Sequence, residues 1–225
     1  MAKTILVLED DPSVRADIQT ALSAAGHRVL ATDLLASAWH LFTSEKPDLA
    51  VLDITVPDGS GLDLCRKIRD HKELFFTPVI ILTGHSEFET KAAGFQAGAD
   101  QYLVKPVPPR ELALWVESML RRMEYGKEEG VVRAGECAID VKAHLVRYKD
   151  QVIPYLTCKE FELLYFLVKK RPQVLSRKHI LSKLWHTIAV DRVVDTHLAN
   201  LRKKLPVELA DKIQAVPGKG YRFLE

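Results

Sequence analysis

The sequence predicts an α/β protein: an open, doubly wound sheet of five parallel strands, followed by a smaller unit of short strands and helices. Three observations predict it. The apolar runs Ile5–Leu8, Leu49–Leu52, Val79–Leu82 and Tyr102–Val104 each stop on hydrophilic residues, as strands buried on both faces do. Helical apolar periods separate these runs, which gives successive βα units with right-handed crossovers. Charge also changes sign along the chain. Residues 1–124 hold 13 Lys and Arg against 18 Asp and Glu, a balance of −5, while residues 125–225 hold 19 against 12, a balance of +7. An acidic unit followed by a basic one implies two jobs, the second with a polyanion.

Each element has its own signal. Asp11 before Pro12 reads as an N-cap with proline at the first helical position. Val14, Ile18, Ala21 and Leu22 continue that helix to a close near Gly26. Residues 27–31 form the second strand, and Asp33 stands where it can cap a helix carrying Leu34, Leu35, Ala38, Leu41 and Phe42. The strand that ends on Asp53 leads into Pro57-Asp58-Gly59-Ser60-Gly61, a loop with two glycine turns. Leu62, Cys65 and Ile68 mark a third helix, residues 87–97 a fourth, and Gln101–Val104 the fifth strand. Pro108-Pro109 opens a last helix with Leu112, Trp115, Val116, Met119 and Leu120 apolar.

In such flavodoxin-like sheets, ligands bind beyond the carboxyl ends of the strands. Glu9, Asp10, Asp53, Thr83 and Lys105 all follow or end apolar runs, so they meet in one crevice. Crowded carboxylates repel one another unless a cation sits among them, and an all-oxygen donor set favours Mg²⁺. A carboxylate can also attack phosphorus and form an aspartyl phosphate. That step needs a metal, a hydroxyl such as Thr83 and a cation such as Lys105 on the phosphoryl oxygens. Gly84 leaves room for the group beside Thr83.

Residues 125–130 are charged and bounded by glycine, a short linker. Residues 131–156 alternate in short segments, as a small antiparallel sheet does. Thr157-Cys158-Lys159-Glu160 is a capping box opening a helix that ends at Arg171-Pro172. Ser176 caps a second helix, with Ile180, Leu181, Leu184 and Trp185 on its core face. A third helix begins near Asp191 or Arg192 and lines up Val194, Leu198, Leu201 and Leu205. Arg192, Thr196, Asn200 and Lys203 lie on its other side, flanked by Arg202 and Lys204. A hairpin follows, with Lys219 at its tip. Three helices and a hairpin form a winged helix-turn-helix pattern, whose third helix enters the major groove of DNA.

The first unit resembles the receiver domain of bacterial two-component response regulators. The likeness rests on Leu8-Glu9-Asp10-Asp11, on Asp53 followed by the Pro57-x-Gly59-x-Gly61-Leu62 loop, on Thr83-Gly84 and on Lys105-Pro106. It implies Asp53 as the phosphorylation site, with Glu9, Asp10, Asp53 and the Thr55 carbonyl as Mg²⁺ ligands. Thr83 and Lys105 would grip the phosphoryl group, Tyr102 would be the aromatic switch, and the Lys105–Pro106 bond is commonly cis in that family. The second unit resembles the OmpR/PhoB effector domain through Leu156-Thr157-x-x-Glu160-Phe161 and Arg192-Val193-Val194-Asp195-x-His197-Leu198. Leu201-Arg202-Lys203-Lys204-Leu205 and Gly218-x-Gly220-Tyr221-Arg222-Phe223 extend the match.

Together the two resemblances imply a phosphorylation-controlled transcription regulator with DNA, a sensor histidine kinase or small phosphodonor, and a second copy of itself as partners. Departures qualify the details. Asn200 stands where relatives often carry arginine, and asparagine favours adenine over guanine; Pro217 stands where the wing often has an arginine. Residues 186–191, which contact RNA polymerase in relatives, form a shortened loop. Gln101 and Trp115 stand where relatives often carry charged dimer residues; Lys91 and Glu111 remain for the dimer interface, with Trp115 adding apolar contact.

The composition excludes other classes. Three separated cysteines and eight histidines without paired spacing suggest neither a disulfide framework nor a zinc site. The amino terminus does not read as a signal peptide, and no apolar run spans a membrane, so a cytoplasmic protein is expected. A phosphatase of haloacid-dehalogenase type would need Asp-x-Asp-x-Thr after the first strand, which is absent. A DNA-binding protein with a relic receiver is a further reading, opposed by the complete acceptor set.

Overall fold

The computed structural model describes residues 2–84, 97–124, 130–185 and 192–225, with the side chains of 122–124 and 192 outside the description. They form two compact units, Met1–Met123 and Glu124–Glu225.

The first unit is built on β1 (Thr4–Leu8), β2 (Arg28–Thr32), β3 (Leu49–Asp53), β6 (Val79–Thr83) and β7 (Gln101–Val104), all parallel, in the order β2-β1-β3-β6-β7. The two-residue strands β4 (Thr55–Val56) and β5 (Gly59–Ser60) make a small hairpin after β3. Around the sheet lie α1 (Pro12–Ala24), α2 (Leu35–Glu45), α3 (Gly61–Arg69) and α4 (Pro109–Glu124). The helix expected over residues 87–97 falls, but for Ala97, outside the described residues.

Alternate strand residues enter two cores, which is why the runs read as continuously apolar. Leu6, Leu8, Ala50, Leu52 and Ile81 pack with Phe42 of α2 and Leu64 and Ile68 of α3. Ile5, Val7, Val51, Ile80 and Leu82 pack with Ile18 and Leu22 of α1 and Leu112 and Val116 of α4. Fully burying each such side chain is worth roughly 1.5–3 kcal/mol, so the strand register is strongly fixed.

Helix ends show where local signals suffice. Asp11 caps α1 by accepting the N–H groups of Ser13 and Val14 at 2.8 and 2.9 Å. The expectation for α2 is corrected: its N-cap is Leu34, which has no side-chain acceptor. Asp58 replaces Asp33 there, accepting from Leu35 N–H at 2.7 Å and Ala36 N–H at 3.0 Å. A carboxylate arriving from the β3–α3 loop can use both oxygens on two free amides, which a residue inside the turn cannot match. At the carboxyl end of α3, Arg69 is buried with Asp100 at 2.7 Å and donates to the carbonyls of Phe75, Thr77 and Gly98. It ties the approach to β6 and β7 together.

The second unit opens with an antiparallel sheet, β8 (Val131–Ala134), β9 (Cys137–Asp140), β10 (Leu145–Tyr148) and β11 (Gln151–Ile153), in meander order. Then come α5 (Cys158–Lys170), α6 (Arg177–Leu184), α7 (Arg192–Lys204), α8 (Val207–Lys212) and the hairpin β12 (Ile213–Val216) with β13 (Gly220–Phe223). The capping box of α5 is complete: Thr157 accepts from Glu160 N–H at 3.3 Å, and the Glu160 carboxylate accepts from Thr157 N–H at 2.8 Å. The short α8 had no separate signal in the sequence. Leu164, Leu181, Trp185, Val194, Leu198, Leu201 and Phe223 are buried together as the helical core. The architecture is a winged helix-turn-helix. Gly220 makes the wing possible, since a Cβ there would stand 2.0 Å from the Leu175 carbonyl.

Candidate functional site

Strand register brings the crevice together. Leu8 pairs with Leu52, Asp53 with Leu82, and Thr83 with Val104. Continued one residue along parallel strands, these pairings set Glu9 level with Asp53, and Lys105 just past Thr83. The side chains complete the convergence. Lys105 Nζ lies 2.6 Å from Asp53 Oδ2 and 2.7 and 2.6 Å from the two Glu9 oxygens. Glu9, Asp10 and Asp53 each bring an oxygen into a group no wider than 4.8 Å. This lies at the reversal of strand order between β1 and β3, where ligands bind in open α/β sheets.

Electrostatics follow from burial. Burial raises the Glu9 carboxyl above its ordinary range, Asp53 adds to that, and Lys105 with the Asp11 N–H opposes it. Burial alone would lower the Lys105 ammonium, but its bonds to Asp53 and Glu9 win and raise it. Lys105 pairs with Glu9 and Asp53, and Asp10 adds a third carboxylate, so these four groups together retain negative charge when ionised. An all-oxygen cluster of this width, partly buried and short of positive charge, fits a small divalent cation.

The other crevice residues fall beside it. Thr83 ends β6 and is buried, and no atom of the described residues beyond its chain neighbours lies within 4 Å of where a Cβ on the neighbouring Gly84 would stand. Tyr102 packs on the core shared by α2 and α3; burial raises its phenol, and a hydrogen bond with Thr83 acts against that. Thr55 N–H lies 3.4 Å from Asp53 Oδ1. The Lys105–Pro106 peptide is cis. Gly61 sits against Asp53: a Cβ there would be 2.0 Å from the Asp53 carbonyl.

In the second unit, α7 buries Val194, Leu198 and Leu201, with Leu205 buried just after it, while Thr196 and Asn200 are half-buried and Lys203 is exposed. Lys219 is exposed at the wing tip. The flanking cations behave differently. Arg202 donates to the Ile213 carbonyl at 2.6 Å, and Lys204 to Tyr155 O at 2.9 Å and Glu160 at 2.7 Å. Arg202 and Lys204 therefore brace the fold. A network absent from the sequence reading orients α7: Asp195 accepts from Arg177 at 2.8 Å and from the Tyr221 hydroxyl at 2.6 Å. Its three members sit on α6, α7 and the wing. That bond with Asp195 holds the Arg177 guanidinium above its usual range, while burial raises the Tyr221 phenol.

Residues 5–117 match the response regulator receiver domain family, and residues 151–223 match the C-terminal domain family of transcriptional regulatory proteins. The phosphate regulon transcriptional regulatory protein PhoB of Pseudomonas aeruginosa is 32% identical, over 99% of this chain and 98% of that one. The chain belongs to the OmpR/PhoB family of response regulators. The transcriptional regulatory protein SrrA of Staphylococcus aureus is 34% identical, over 99% of this chain and 96% of its own. The solved response regulator DrrB of Thermotoga maritima, an OmpR/PhoB homologue, aligns at 32% identity with a TM-score of 0.53 over the whole of both chains.

As an OmpR/PhoB response regulator, the protein is a DNA-binding transcription regulator governed by a receiver domain. No helix among the described residues is long and apolar enough to cross a membrane. Of the expected dimer residues, Glu111 is exposed in the first turn of α4, whereas Trp115 is half-buried against the core of α1 and α4. Its neighbour Leu114 is an exposed apolar residue on that helix, 71% accessible. Lys91, the loop 186–191 and the Arg192 side chain lie outside the described residues.

Proposed function

We propose that this response regulator is switched by phosphorylation of Asp53. The observation that carries the reading is Lys105, held on Asp53 and Glu9 within the three-acid cluster. An Asp53 oxygen attacks the phosphorus of a sensor kinase phosphohistidine or a small phosphodonor, and the bond to the donor breaks as the new O–P bond forms. Mg²⁺ held by Glu9, Asp10, Asp53 and the Thr55 carbonyl supplies positive charge to the phosphoryl oxygens when bound. Lys105 pairs with one of those oxygens and the Thr83 hydroxyl donates to another. Tyr102 follows Thr83 inward. The chain thus promotes its own phosphorylation and dephosphorylation and turns over no other substrate.

Phosphate biases an existing two-state equilibrium toward a homodimer that uses Lys91, Glu111 and Trp115. Paired effector domains then bind repeated DNA half-sites in the cytoplasm. Arg192, Thr196, Asn200 and Lys203 meet the groove, and Lys219 meets the backbone. RNA polymerase is a further partner of the DNA-bound dimer.

Intact-protein mass spectrometry after incubation with acetyl phosphate and Mg²⁺ tests this. The expected result is one added phosphoryl group, absent in Asp53→Asn. Modification that persists in Asp53→Asn, or never occurs in the unaltered chain, overturns it.

A further inference from the structure

Arg15 is the cation near the acids to which the phosphoryl chemistry assigns no task. It lies in the first turns of α1, where the helix dipole disfavours positive charge, and that turn carries no acid of its own. Its guanidinium turns back past the helix start. Nη1 donates to the Glu9 carbonyl at 2.7 Å and to the Asp10 carbonyl at 3.1 Å. These are the main-chain groups of the two residues whose carboxylates converge on Asp53. Other contacts hold the same turn at different points. Glu9 N–H donates to the Thr32 carbonyl at 3.1 Å, and the Glu9 carboxylate takes the Asp11 N–H. Asp10 is exposed, and Arg15 holds its backbone at the carbonyl.

We infer that Arg15 is a positioning residue for the metal: it clamps the Glu9–Asp10 backbone so that both carboxylates face Asp53. The inference rests on the reading of the crevice as a Mg²⁺-dependent phosphoacceptor. Two opposed effects make it decidable. As a bare charge, Arg15 repels a dication, so removing it would tighten Mg²⁺ binding. As a clamp, it holds two ligands in register, so removing it loosens Mg²⁺ binding. Both bonds come from the single nitrogen Nη1, so a lysine ammonium, which also carries several donors but on a flexible stem, can restore part of the clamp.

Calorimetric titration of the full chain with Mg²⁺ alone, on the unaltered protein, Arg15→Met and Arg15→Lys, separates the two. The clamp predicts about tenfold weaker Mg²⁺ binding for Arg15→Met, the scale on which groups that orient metal ligands act, with partial recovery in Arg15→Lys. It also predicts an unchanged rate of modification by acetyl phosphate once Mg²⁺ saturates, because Asp53, Thr83 and Lys105 are untouched. Equal or tighter Mg²⁺ binding in Arg15→Met overturns the inference, as does a saturated rate that falls in both variants. Failure of the unaltered chain to bind Mg²⁺ strikes the phosphoacceptor reading itself, and this inference with it.

Discussion

In the crevice, Lys105 touches two carboxylates at 2.6–2.7 Å, whereas Lys203 and Lys219 in the second unit stand exposed. The first region meets its charges within the chain and fixes its loops through main-chain contacts. Arg15 holds the carbonyls before α1, Asp58 holds the amides at the start of α2, and Gly61 lies against the Asp53 carbonyl. The second region divides its cations. Arg177, Arg202 and Lys204 are spent inside the domain, and Lys203 and Lys219 are left open. The difference matches the two ligands. A phosphoryl group is small and must be met by groups already in place, while DNA is a long polyanion whose counterions exposed cations replace.

The sharpest way to break the first half of this comparison is Gly61→Ala. The added Cβ would stand 2.0 Å from the Asp53 carbonyl, so the strand end or the α3 start must move. Overpacking of this kind costs roughly 3 kcal/mol, and it displaces Asp53, the proposed phosphorylation site. Urea denaturation should show that loss, together with slower modification by acetyl phosphate at saturating Mg²⁺. Unchanged stability and rate would mean that the crevice yields easily and is not a fixed frame.

The adjacent lysines of α7 sharpen the second half. Lys204 reaches the buried Glu160 of the α5 capping box at 2.7 Å, so Lys204→Ala leaves a desolvated carboxylate short of a cation. Hydrogen bonds to charged groups of this type are worth about 2 kcal/mol, and the loss belongs in a denaturation curve. Lys203→Ala should leave stability nearly unchanged. It should weaken DNA binding across all sequences and reduce the slope of log affinity against log salt by about 1. If the two variants exchange these effects, the division into bracing and open cations fails.

The same contrast explains how much of the molecule was legible in the sequence. Asp11, Ser176 and the Thr157–Glu160 box cap helices through residues two or three positions away, and such local chemistry is readable as spacing. The crevice was readable because Glu9, Asp53, Thr83 and Lys105 each end or follow an apolar run, and a parallel sheet aligns those ends. Long polar reaches were not. The Asp58 cap spans 22 and 23 positions, and the Tyr221–Asp195 bond spans 26. A helical face foresaw Lys203, but it could not say that the longer path of Lys204 leads back to Glu160. Periodicity gives the direction of a Cβ, whereas a flexible chain of several bonds chooses among partners in three dimensions.

Asp58 offers the smallest and most selective test, because it is a contact that spacing cannot foresee. The amides of Ala36 and Leu35 hold its carboxyl below the usual aspartate range. A depressed folded value means that the native state prefers the charged form. Its contribution is therefore present above the ordinary value near pH 4 and fades as pH falls through the lower folded value. Asp58→Ala should lower the thermal midpoint at neutral pH by less than Gly61→Ala does. The gap to the unaltered chain should close below about pH 4. Asp11 carries a similar depression from its own cap, but it is common to both proteins and cancels in that difference. A gap that stays constant with pH would show that Asp58 acts through packing or loop geometry, and that the anchoring of the Asp53 loop to α2 owes nothing to its charge.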